Sequence, residues 1–179
     1  MRKVLFLFGQ LNDDDVEWMI NTGRRRPVAR GETLIQQGVP VDALFILLEG
    51  RLSVLLGRQE REIARLNAGE IVGEMSFVDA RPPSATVRGL EDAEVFAISK
   101  PVLQGKLSRD MGFAARFYRA LAIYLSTTVR ERHRMLGASG DVSLDEVEDD
   151  ADELDPNVLD GVYLAGERFD RMVKRVLAA

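Results

Sequence analysis

Apolar residues recur along this chain with three different rhythms. After Asn12, with Asp13, Asp14 and Asp15 in the first turn, Val16, Met19 and Ile20 give a short helical stripe that Gly23 ends. An amide side chain caps a helix start, and acids there meet the positive end of the helix dipole. Trp18, on the same helix, is expected to be half-buried. From residue 24 to residue 98 the rhythm shortens to that of strands. Runs at 43–48, 51–56, 62–66, 85–87 and 94–98 alternate or stay aliphatic throughout. Gly31, Gly38, Gly50, Gly57 and Gly69 stand 7, 12, 7 and 12 residues apart, a spacing of short paired strands joined by tight turns. The pattern predicts a double-layered β structure such as a jelly roll.

The period lengthens again beyond Lys100. Pro101 suits a first helical turn after Ser99. Phe113, Phe117, Leu121, Tyr124, Leu125 and Thr128 then mark one face of a long amphipathic helix over 112–136, with Gly137 and Gly140 behind it. Residues 141–160 hold ten Asp or Glu and no Lys or Arg, which reads as a solvated linker. Phe169, Met172, Val173 and Val176 restore a helical stripe, flanked by Arg168, Arg171, Lys174 and Arg175. The expected division is a folded unit over 1–137, an acidic linker over 138–160 and a short amphipathic helix over 161–179 that docks on the folded unit, a second subunit or a client.

Composition narrows the chemistry. The chain has 179 residues and a formal net charge of −5, a field that repels a phosphate backbone. It has no cysteine, and its one histidine, His133, sits among arginines near a helix end and reads as a solvated cation at that end of the dipole. A multi-histidine zinc site and thiolate chemistry are therefore excluded. The apolar run at 4–8 is too short for a secretory core, and no run approaches a membrane span of roughly 20 residues. A cytoplasmic protein without membrane insertion is expected. Phosphate-loop, dinucleotide and nucleophile-elbow motifs are missing, so no enzyme and no resident cofactor are expected. The acidic run lacks the glycine of a calcium loop, and Arg24, Arg25 and Arg26 read as a solvated turn entering a strand.

One segment carries specific chemistry. Gly73-Glu74-Met75-Ser76-Phe77 is followed by Asp79-Ala80-Arg81-Pro82-Pro83-Ser84-Ala85-Thr86-Val87. With Gly31-Glu32, Gly38 and the apolar run 45–48 before Glu49-Gly50, it resembles the phosphate-binding cassette and early strands of cyclic-nucleotide-binding domains, of the catabolite-activator and protein-kinase-A-regulatory type. The resemblance extends over about residues 5–136. It implies an α+β fold, an eight-stranded antiparallel β-roll (jelly roll) flanked by N-terminal and long C-terminal helices. It also implies a regulatory sensor that binds cAMP, cGMP or a related phosphate-bearing messenger and signals to a partner protein.

The implied ligand site is Gly73, Glu74, Met75, Ser76, Arg81, Ser84, Ala85, Tyr124 and Thr128. In the family the glycine lets the backbone approach the ligand, the glutamate accepts from the ribose hydroxyl, and Ser84 and Ala85 occupy the positions whose amides hold the phosphate. Tyr124, Thr127 or Thr128 would meet the base. One position departs from the pattern. The phosphate-clamping arginine expected before Ser84 is Pro83. A hydrogen bond to a charged group is worth about 1.5–3 kcal/mol, so its loss weakens binding by about one to two orders of magnitude. Arg81 could swing in to replace it; Arg88 follows the strand and is expected to face away. The alternative is a ligand-free scaffold for protein interaction or dimerisation. The long helix 112–136 suggests a homodimer, and the tail 161–179 suggests a docking partner. The 44 residues after Met135 hold no recognition helix, so no direct DNA binding is expected.

Overall fold

A computed structural model describes residues 3–79, 81–138 and 156–178. The chain enters through α1 (Lys3–Gln10) and α2 (Asp13–Thr22). Eight strands follow: β1 (Arg24–Val28), β2 (Thr33–Ile35), β3 (Ala43–Glu49), β4 (Leu52–Leu56), β5 (Arg61–Leu66), β6 (Ile71–Val72), β7 (Thr86–Gly89) and β8 (Ala93–Ser99). A one-turn 3-10 helix, Glu74–Phe77, separates β6 from β7, and α3 (Lys100–Arg109), α4 (Met111–Ala138) and α5 (Pro156–Leu177) complete the described chain.

The strands form two four-stranded sheets, β1-β8-β3-β6 and β2-β7-β4-β5, with every neighbouring pair antiparallel. This is the eight-stranded β-roll flanked by helices that the sequence implied. The five regularly spaced glycines all have φ between 74° and 90°, which places them in the turns. β3 is apolar at consecutive positions because both of its faces are covered. Phe45 and Leu47 face the second sheet, among Leu52, Val87 and Val95. Leu44, Ile46 and Leu48 face the helices, among Phe8, Met19, Phe113 and Phe117. The second sheet is wet on its outer side, and Arg61 to Arg65 of β5 are exposed.

The helical layer follows local rules. Asn12 caps α2 by accepting from the Asp15 amide at 2.9 Å, while the Asp15 carboxylate accepts from the Asn12 amide at 3.0 Å. Trp18 is half-buried, edge-on to Phe113 at 5.5 Å. Asp15 is buried and takes a two-pronged contact from Arg116 of α4, at 2.6 and 2.9 Å. Asp110 breaks α3 from α4 and caps the latter by accepting from the Phe113 amide at 2.9 Å. Pro101 stands in the first turn of α3 behind Ser99, as its sequence position predicts.

One element was not assigned from the sequence, and two expectations are corrected. The apolar run near the N-terminus is itself a helix, α1, whose Val4, Phe6, Leu7 and Phe8 are all buried. Arg24, Arg25 and Arg26 lie within β1 instead of a turn; Arg25 pairs with Glu94 across the strands and Arg26 with Glu32. The tail helix starts at Pro156, inside the stretch read as linker, because proline's fixed φ suits a first helical turn. The rest of the expected acidic linker, 139–155, lies outside the described residues, as does the His133 side chain.

α5 docks on α1 and α2 of its own chain. Ala165, Phe169, Met172 and Val176 are buried in the same core as Val4, Leu7, Phe8 and Leu11. Arg168 donates to the carbonyls of Phe8 at 2.7 Å and Leu11 at 2.8 Å, neutralising the negative end of α1, and to Asp13 at 2.8 Å. Arg175 pairs with Glu17 at 2.6 Å. The two helices cross at Gly9 and Gly161, where a Cβ on either would meet the other's carbonyl oxygen at 3.1–3.2 Å. Among the described residues no helix is long and apolar enough to cross a membrane, and no cluster of His, Cys, Asp or Glu is placed to hold a metal ion.

Candidate functional site

A cavity of about 550 Å³ opens between the segment 72–85, the inner face of the roll and the second half of α4. Its floor is apolar, with Ile35, Val54, Leu66, Val72 and Val87. All nine residues named from the sequence line it: Gly73, Glu74, Met75, Ser76, Arg81, Ser84, Ala85, Tyr124 and Thr128. Gly73 is required at its position. Its φ is 87°, and a Cβ there would meet the Ala43 carbonyl oxygen at 2.6 Å. The chain then makes the 3-10 turn, closed by Ser76, whose hydroxyl donates to the Gly73 carbonyl at 2.7 Å. Met75 is exposed, and Phe77 is buried edge-on to Phe117 of α4 at 5.9 Å. The turn is therefore pinned to the helix that closes the cavity.

Glu74 is buried and already has a partner. Lys3 of α1 reaches it, with Nζ 3.3 Å from Oε1, and also donates to the Ile71 carbonyl at 3.0 Å. The same ammonium lies 4.7 Å from the centre of the Tyr124 ring, a cation–π contact. Burial pulls the Lys3 ammonium down, but the Glu74 carboxylate, with Tyr124 and Glu70 beside it, outweighs that and holds its pKa above the ordinary lysine value. Burial pushes the nearby Glu70 carboxyl upward. Lys3 is the site residue that sequence reasoning missed. It stands 71 residues from Glu74, and no local motif contains it.

In the loop after the 3-10 turn, no backbone carbonyl among the described residues accepts from the amides of Ser84 or Ala85, which leaves two donors for an anion. Thr86, next in the chain, is buried and holds the β2 turn by accepting from the Gln37 amide at 3.1 Å. On α4 the Thr128 hydroxyl donates to the Tyr124 carbonyl at 3.0 Å and keeps its acceptor capacity toward the cavity. Thr127, the alternative base contact, bonds to the Ile123 carbonyl and is not among the lining residues.

A sequence model described as "Cyclic nucleotide-binding domain" matches residues 25–110. The chain is 34% identical over 95 residues to the cyclic AMP receptor protein of Thermus thermophilus, covering 51% of this chain and 44% of that protein. It is 30% identical to the solved N-terminal domain of a transcriptional regulator from Streptomyces coelicolor, with a TM-score of 0.60 and coverage of 70% of this chain and 94% of that one. The chain belongs to the cyclic nucleotide-binding domain family. A cyclic nucleotide-binding domain from Methylobacillus flagellatus shares the fold at a TM-score of 0.66 and 23% identity, covering 80% of this chain and 84% of that one. The family is regulatory rather than catalytic. The chain spans well under two thirds of the length of its curated relatives, 44% of the Thermus protein among them.

Within this cyclic nucleotide-binding domain, the loop at Pro83, where the resemblance implies an arginine, is held by its backbone. Pro83 presents no donor, and its carbonyl accepts from the Gly38 amide at 2.9 Å, tying the loop to the turn after β2. Arg81 is on the rim. Its side chain is 88% exposed and leans toward Asp79 at 3.9 Å. Arg88 is committed elsewhere, to Glu60 at 2.6 and 2.7 Å, and does not line the cavity.

Proposed function

We propose that this chain is a cytoplasmic regulatory module that binds a cyclic nucleotide, cAMP or cGMP, in the cavity under α4 and signals its occupancy to a partner protein without contacting DNA itself. One observation carries the reading. The cassette residues and the second half of α4 converge on a single cavity of about 550 Å³, within the range of small-ligand pockets. The chemistry of the walls suits such a ligand. Two unpaired amides at Ser84 and Ala85 face an anion's needs, a buried carboxylate at Glu74 suits a ribose hydroxyl, and an apolar floor with Tyr124 suits a base. Ligand contact at Tyr124 and Thr128 would bear on α4, and α1 joins that helix to α5.

Titration calorimetry with cAMP and cGMP tests this. A saturable heat at one nucleotide per chain is expected. No heat from either at about 1 mM, where binding of only about −4 kcal/mol would register, refutes it.

A second reading has its own support. Pro83 stands where a guanidinium is expected, and Lys3 occupies Glu74. Both favour a scaffold that holds no nucleotide and serves dimerisation through α4 or docking of a partner. Half-exposed Tyr118 and Val129 on α4 are consistent with a homodimer in either reading. Light scattering coupled to size exclusion, with and without nucleotide, separates a ligand-independent dimer from a ligand-controlled one.

A further inference from the structure

We infer that Lys3 is the cation that pairs with the ligand's phosphate, standing in from α1 for the guanidinium absent at Pro83. This rests on the cyclic-nucleotide reading of the cavity and supplies the charge that reading lacks. Among the described residues two cations line the cavity, Lys3 and Arg81. They differ in preparation. Arg81 is 88% exposed and precedes two prolines that stiffen its loop, so drawing it inward means ordering a free side chain. The Lys3 side chain is 17% exposed and already fixed inside.

The donor count points the same way. An ammonium has three N–H donors. The Ile71 carbonyl and Glu74 take two, and the third is turned toward Tyr124, a contact that a ligand oxygen can replace. Lys3 also sits at the right place relative to the ribose. In a 3′,5′-cyclic nucleotide the free 2′-hydroxyl neighbours the carbon that bears the phosphate ester. A ligand whose hydroxyl donates to Glu74 therefore brings its phosphate beside whatever cation touches Glu74. Lys3 would then bridge the carboxylate and the phosphate, and the Glu74 pairing stays intact while the anion enters.

The test compares wild type, K3M, K3R and R81A by calorimetry with the nucleotide that gives the larger heat, each variant checked by thermal melting without ligand. K3M is expected to lose about tenfold in affinity or more, the scale of one charge-assisted hydrogen bond. K3R should restore most of it, and R81A should lose clearly less than K3M, as expected of an exposed side chain. Raising the ionic strength should weaken wild type more than K3M. Wild-type affinity in K3M overturns the inference while leaving the cavity reading intact. So does a tenfold loss in R81A, which decides the matter even if K3M fails to fold. No heat from wild type overturns the cavity reading itself, and this inference with it.

Discussion

The two halves of α4 do opposite things. Phe113, Phe117, Ala120 and Leu121 are buried in the layer between the roll and the other helices, with Phe113 and Phe117 stacked at 5.9 Å. One turn further, Tyr124, Leu125 and Thr128 are only partly covered, and Val129 is exposed along the cavity rim. One helix thus has an anchored end and, on the proposed function, a responsive end. Close packing resists change in the first, whereas the second has few contacts to lose when a ligand arrives. On the proposed function, stability and signalling are separated along a single element, with Phe77 joining the cassette to the anchored end.

The severest way to break this division is to remove α5, which completes the dry layer. Truncation after Gly140 deletes Phe169, Met172 and Val176, all buried against α1 and α2. At about 1.5–3 kcal/mol for each large apolar side chain, the loss should be roughly 5 kcal/mol, read by urea unfolding with Trp18 fluorescence. A loss below about 1 kcal/mol would mean that the layer does not need its last helix. Next in size is Phe117→Ala, expected to cost about 4 kcal/mol through the cavity it leaves. Its counterpart at the responsive end, Leu125→Ala, should cost less, about 1 kcal/mol, because its side chain is only partly covered. Equal costs for the two would erase the distinction.

The sequence carried this architecture unevenly. The turn glycines, the doubly covered β3 and the bounds of α4 were legible because each follows from residues close together in the chain. The grouping of nine cavity-lining residues was legible for the same reason. Seven fall within 73–85, and the other two sit on a helix whose period is plain. What escaped depends on pairing at a distance. Lys3 meets Glu74 only after α1 crosses the roll, and a short helix buried on nearly every side leaves no polar face to mark its period. Arg25 reads as a turn residue until β1 pairs with β8 and brings up Glu94. The docking side of α5 was open because its basic flank finds Asp13 and Glu17, more than 150 residues away.

The smallest effect separates the regions by the sign of their response to pH. Hydrogen bonds from Arg168 hold Asp13 below the usual carboxylate range, and those from Arg175 do the same for Glu17. A carboxylate whose folded pKa is depressed adds stability above its unfolded value, and the gain is lost as pH falls through the folded value. The clasp of α5 should therefore hold from neutrality down to about pH 5 and loosen below about pH 4, seen as faster amide exchange in α5 than in the strands. Lys3 runs the other way. Its folded pKa is raised above 10.5, so its contribution is full below that value and disappears as pH climbs through the folded one. The stability difference between wild type and K3M should be constant from neutrality up to about pH 10 and shrink in strong alkali, where the carboxylates of the clasp stay ionised. If the K3M difference instead persisted unchanged in strong alkali, the Lys3 ammonium would not be the group that distinguishes this end of α1.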